Sequence, residues 1–241
     1  MSVMAPLIEV TLRGLLGRRR TILLALLAGL PVLIALLIRF SGGRPDADRI
    51  LDTLVVRTVM PLVALIVGTA AIGSEIDDGT AVYLLIKPIA RWRVAASKIF
   101  VAAGLTSVMV VPAVILTGLL LGSRGGDTAT TVVAYAIACL VGGSAYAAAF
   151  VALSLFTTRA LLLGLAYVLI WEGVLSGLLA GTKFLSIRQA TLGLAAALGV
   201  DVPGGEPLAP GVSVFVLVAV LAGALALASW RLSRFEIRGG D

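Results

Sequence analysis

TATTVVAYAIACLVGGSAYAAAFVALSLFTT, residues 128 to 158, runs from Asp127 to Arg159 without one charged side chain. A helix needs roughly 20 predominantly apolar residues to cross the hydrocarbon core of a bilayer, and this run exceeds that. Barrel strands would alternate polar and apolar residues in segments of about ten, and no such alternation is present. The spacing therefore predicts a membrane-crossing helix from Thr128 to Leu155.

Moving outward with a window of about 19 residues finds five further runs of this kind. They are Thr21 to Ile38, Thr53 to Ser74, Ile99 to Gly122, Ala160 to Thr182 and Val212 to Trp230. The expected fold is thus an all-α integral membrane protein with six transmembrane helices, forming one domain over residues 1–241. Composition agrees, with 60% hydrophobic and 13% charged residues and a mean hydropathy of +1.11. Soluble domains average about 45–50% apolar and about 25% charged residues.

The chain contains no histidine and a single cysteine, Cys139, inside the charge-free run. An intrachain disulfide is impossible, and the thiol reads as a small packed core residue. Without histidine, intramembrane hydrolysis by a Ser-His pair or by an H-E-x-x-H zinc site is excluded. No bound cofactor or metal is expected.

A net charge of +6 would point a soluble protein towards nucleic acid. Here the placement of the charges decides. With the amino terminus inside, twelve of the 19 Lys and Arg residues fall in inner segments and seven on the outer side. The inside rule for basic residues then puts both termini in the cytoplasm of a multi-pass protein of the cell membrane, with lipid and not nucleic acid around it.

Arg18-Arg19-Arg20 before an apolar run could also open a secretory signal. The run is long for that purpose, no small-residue cleavage site closes it, and Arg39 with Phe40 reads as an outer anchor. Ahead of it, Ile8, Leu12, Leu15, Leu16 and Arg19 share one helical face, with Glu9, Arg13 and Arg20 on the other. Residues 1–20 are expected to form an amphipathic interfacial helix near anionic headgroups, a basic lead-in without structure being the alternative.

Between the second and third runs the chain reads GSEIDDGTAVYLLIKPIARWR from Gly73, followed by Lys98. Glu75, Asp77 and Asp78 mark the exit from the bilayer. Gly79 can end a helix in the left-handed conformation and Thr80 can cap the next. About two turns through Ile86 would stop ahead of Pro88. The result is a short transverse helix presenting Val82, Tyr83, Leu85 and Ile86, or else an ordinary inner loop whose apolar residues lie back on the membrane.

Glu75, Gly79-Thr80, Leu84-Leu85, Pro88, Arg91 and Lys98 resemble the inner-loop signature of type-2 ATP-binding-cassette permeases, E-x-x-x-G-T…L-L-x-x-P…R…K. The six-run layout, the amphipathic amino terminus, Trp171-Glu172-Gly173 and Leu185-Ser186-Ile187-Arg188-Gln189 extend the resemblance over essentially the whole chain. It implies an exporter permease that pairs with a second copy, as homodimer or with a close paralogue, and sits on cytoplasmic ATP-binding-cassette ATPase subunits. Residues 75–98 would be the cytoplasmic coupling loop, with Glu75, Gly79, Thr80, Tyr83, Leu84, Leu85, Pro88 and Arg91 engaging the ATPase. No G-x-x-x-x-G-K-[ST] phosphate loop occurs, so ATP and Mg belong to the partner subunit and this chain is not itself an enzyme.

Glu172 lies near the middle of the fifth run, where an ionisable group is costly and is by default a functional candidate. It could carry a proton or meet a cationic substrate. Alternatively it is a hydrogen-bonded tie to a neighbour, with Ser176 as one candidate partner. Gly173, Gly177 and Gly181 recur at every fourth position, a packing stripe matched by Gly142-Gly143 in the fourth run. In residues 183–211, the outer loop, Ser186-x-x-Gln189 is a capping box and Gly199 a helix end, so residues 187–198 should form a short outer helix. Similar permeases place a re-entrant or cap element there. The expected function is ATP-driven efflux of lipid-like or amphipathic cargo. The rivals are a proton-coupled secondary transporter using Glu172 and a non-transporting scaffold.

Overall fold

The structure, a computed structural model, describes residues 15, 17–42, 47–77, 91–122, 127–175, 180–203 and 206–234. All regular structure among them is helical. In chain order it comprises α1 (Arg18–Phe40), α2 (Ala47–Ile50), a first π-helix (Leu51–Val59), α3 (Met60–Asp77), α4 (Arg91–Leu121) and α5 (Thr128–Ser154). There follow α6 (Ala160–Ala166), a second π-helix (Tyr167–Leu175), a 3-10 helix (Ala180–Leu185), α7 (Ile187–Ala197) and α8 (Pro210–Ser233).

Local chemistry sets these limits. Asp127 caps α5, its carboxylate accepting the Ala129 and Thr130 amides at 3.3 Å each and the Thr130 hydroxyl at 3.1 Å. Those bonds, the Thr130 hydroxyl first, hold its carboxyl below the usual carboxylate range. Gly122, at φ 71°, ends α4 in the left-handed region that a side chain disfavours. Pro210 opens α8 at a first-turn position, where the missing amide costs no helical bond.

Five helical stretches are long and apolar enough to cross a membrane: 20–40, 47–72, 91–121, 128–154 and 210–233. The expected fifth run, Ala160 to Thr182, is helical from Ala160 to Leu175; residues 176–179 lie outside the described residues, and the chain then forms a 3-10 turn from Ala180 to Leu185. The second run begins earlier than the expected Thr53, because α2 and the π-helix carry Asp52 and Arg57 into the spanning helix. At the start of the chain, Arg18–Arg20 belong to α1 itself and not to a separate interfacial helix. Residues 1–14 and 16 of that expected helix lie outside the described residues.

α5 is the hub, packing against α3, α4, α6, α7 and α8. Small residues allow it. A Cβ on Gly68 of α3 would sit 2.9 Å from the Ala147 carbonyl and the Phe150 Cβ, so these helices approach backbone to backbone. Gly142 faces Thr191 of α7, and a Cβ on Gly143 would lie 3.3 Å from Thr106 Cγ2 of α4. Among the described residues the glycine pair of α5 thus receives α7 and α4.

α7, near its expected bounds, is capped by Ser186, whose hydroxyl accepts the Gln189 amide at 3.1 Å. Gly199 follows it at φ 94°. Thr191 lies on Gly142 while Gly199 lies beside Thr130, two α5 positions separated by about 18 Å at helical rise. α7 therefore climbs alongside the first half of α5, with its N-terminus deep and its C-terminus near the Asp127 end. Gly142→Ala would drive a methyl into Thr191. The expected cost is about 1–3 kcal/mol, read by thermal unfolding in detergent, and adding Thr191→Ala should recover part of it.

Candidate functional site

The two π-helices share a device. In an α-helix of 3.6 residues per turn, residue i+5 stands about 140° round from residue i. The wider i→i+5 turn of a π-helix brings the two onto one side. In the first, Arg57 Nε donates to both Asp52 oxygens at 3.0 Å and Nη2 lies 2.8 Å from Oδ2. In the second, the Tyr167 hydroxyl donates to Glu172 Oε1 at 3.0 Å. Both segments are rich in β-branched and aromatic residues, LDTLVVRTV and YVLIWEGVL, which crowd the preceding turn of a tighter helix.

Glu172 is 2% exposed. Besides Tyr167, its oxygens accept the Ser186 hydroxyl, the Ile187 amide at 3.0 Å and the Arg188 amide at 3.5 Å. The carboxylate thus sits on the N-terminus of α7, where first-turn amides lack helical partners and the dipole favours negative charge. Trp171 adds a bond from its indole nitrogen to the Leu185 carbonyl at 3.4 Å. The Trp-Glu pair therefore holds the segment entering α7 from two adjacent positions.

Other polar groups converge on this carboxylate. Arg188 is 4% exposed, and its guanidinium lies within reach of the charges of Glu172, Asp52 and Arg57. Tyr146, fully buried on α5, brings its hydroxyl into the field of Glu172. An apolar wall closes the cluster: Tyr146 stacks on Phe150 at 5.9 Å, and Phe150 meets Tyr167 edge-on at 6.4 Å. Both π-helices, α5 and α7 meet here, with Asp52, Glu172 and Arg188 buried among them. Coulombic contacts there act in a low dielectric.

The family model described as ABC-2 family transporter protein matches residues 16–186, a stretch that takes in the inner loop and both π-helices. The chain belongs to the ABC-2 transporter family. No curated protein matches it. The ABC-2 chain is a multi-pass membrane permease of the ATP-binding-cassette class, and its matched region ends on Ser186, the serine that caps α7.

The permease's expected site residues separate into three groups. Glu172 is the centre of the cluster, and its serine partner is Ser186; Ser176 lies outside the described residues. Gly173 is exposed, and among the described residues a Cβ there would meet only the Val168 carbonyl of its own helix; Gly177 lies outside the described residues, and Gly181 falls in the 3-10 turn. Of the residues expected to couple to an ATPase, Glu75 is in the last turn of α3 and Arg91 opens α4, while Gly79, Thr80, Tyr83, Leu84, Leu85 and Pro88 lie outside the described residues.

Sequence reasoning did not assign Asp52, Arg57 and Arg188 to this site. The only signal was opposite charges five residues apart at the head of an apolar run. Read at helical period, that spacing puts them on different faces.

Proposed function

We propose that this ABC-2 permease is the membrane half of an ATP-driven exporter, working as a dimer on separate ATPase subunits that hold ATP and Mg. The observation that carries the reading is the family match across residues 16–186, which contains the E-x-x-x-G-T…L-L-x-x-P signature. Both termini are cytoplasmic, in the cell membrane. Six crossings result if the helix from Ala160 to Leu175, 7 residues of α-helix and 9 of π-helix and about 24 Å long, completes its passage together with the 3-10 turn. Lipid-like or amphipathic cargo fits the aliphatic surfaces.

Packing supports a route for coupling. Residues 78–90 join α3 to α4, these helices pack on each other and on α5, and α5 carries α7 and α8. A push on the loop by the closing ATPase would rock this unit. α3 continues directly into the first π-helix, so motion at the loop reaches the Asp52–Arg57 end. In liposomes holding the permease with its ATPase, Glu75→Ala and Gly79→Val should lower substrate-stimulated ATP hydrolysis about tenfold, within the 1–3 kcal/mol range of coupling free energies. Both variants should still co-purify with the ATPase. Wild-type stimulation in both would remove the coupling assignment.

A proton-coupled mechanism through Glu172 gains little from the geometry. A carboxylate engaged by two hydroxyls and the amides of a helix N-terminus is a fixed anchor. Transport driven by a proton gradient without any ATPase, and abolished by Glu172→Gln, would reinstate it.

A further inference from the structure

At the opposite end of α5 from Asp127, aromatic rings and arginines meet on the surface. Phe156, just beyond α5, stacks on Trp230 of α8 at 6.4 Å with 20° between the ring planes. Both rings are 45% exposed, so the pair forms an accessible platform. Arg231 lies over Phe156 at 5.6 Å, and Arg234 over Trp230 at 4.4 Å. Arg231 Nε also donates to the Leu155 carbonyl at 3.2 Å, which satisfies a helix-terminal acceptor and pins α8 to α5. Arg159, three residues beyond Phe156 and at the start of α6, is exposed, as is Arg234.

We propose that this patch binds the headgroup of an anionic phospholipid. Three guanidiniums at the ends of membrane-crossing helices supply donors that match a phosphate. The aromatic pair sits at interfacial depth, where such rings are favoured. What selects lipid over an acidic protein surface is continuity. From the arginines, exposed Leu161, Leu162 and Leu163 on α6 and Leu227 on α8 lead away along helices that both pack on α5, a path for acyl chains. A soluble partner would meet the charges and could not follow that path into the bilayer. The inference is independent of transport direction and of cargo.

Trp230 provides the probe, because the chain has three tryptophans and Trp92→Phe with Trp171→Phe leaves only this one. The chain is reconstituted in phosphatidylcholine vesicles, and quenching is compared between phosphatidylglycerol and phosphatidylcholine with brominated acyl chains. The expected preference for the anionic lipid is about fivefold or more, the contribution of one interfacial arginine. Arg159→Gln with Arg234→Gln should bring it close to one. Quenching by brominated phosphatidylcholine should be unchanged, showing that Trp230 still faces lipid. Equal quenching by both lipids, or a preference that survives the double substitution, would overturn the proposal. So would loss of ATPase binding in the double variant without any lipid preference in the parent, which would make the patch a protein-docking surface.

Discussion

Glu172→Ala is expected to lower stability by about 3–5 kcal/mol, the cost of removing one partner from a buried charged network. The substitution strips the acceptor from the Ser186 and Tyr167 hydroxyls and the Ile187 amide, and it removes one of the two carboxylates whose charge reaches Arg188. Each orphaned donor in a dry interior costs about 1–3 kcal/mol, so α7 should detach before the rest unfolds. Glu172→Gln keeps the shape and one good acceptor and should lose about half as much. Denaturant titration in detergent, with proteolysis around residues 176–186 as a local readout, separates the variants. Equal stability of Glu172→Ala and the parent would refute the anchoring role.

Arg57→Met is the second large effect. Asp52 is 2% exposed, and Arg57 covers both of its oxygens. Removing the cation leaves a buried carboxylate short of its strongest partner, at an expected cost of about 3–5 kcal/mol. The double variant Asp52→Asn with Arg57→Met should be closer to the parent than Arg57→Met alone, since the uncompensated charge is gone. Additive losses in this cycle would show that the two side chains act independently. Coupled ATP hydrolysis measured on the same variants would show whether the pair also transmits motion from α3 towards α7.

Membrane insertion, helix type and most helix ends were legible in the chain, because each depends on a local run of residues. The capping box at Ser186, the end at Gly199 and the apolar run from Thr128 all appear where their chemistry requires. The importance of Glu172 was legible too, from the expense of an acid in an apolar run. Its partners were not. Ser186 is fourteen residues away, and only a chain that turns back on itself brings the two together.

The glycine stripe shows the same limit from the other side. Gly173, Gly177 and Gly181 define one face of an ideal helix, but the second π-helix and the 3-10 turn interrupt that period, and Gly173 is left exposed. Gly142 was noticed for the same smallness, and tertiary packing gave it a different neighbour, Thr191. Small residues announce a close approach without naming what approaches.

By itself the sequence determined that this is an all-α membrane protein of the ABC-2 kind. Hydrophobic length and loop signatures are properties of contiguous residues, and the bilayer admits few structures. Only the tertiary structure decided that α7 runs back along α5, that two widened helical turns bring charges into register, and that Asp52, Arg57, Glu172 and Arg188 form one site. Asp52 and Arg57 stand more than a hundred positions from Glu172 and Arg188, and a change in helical period, invisible in composition, moves a side chain from one face to another.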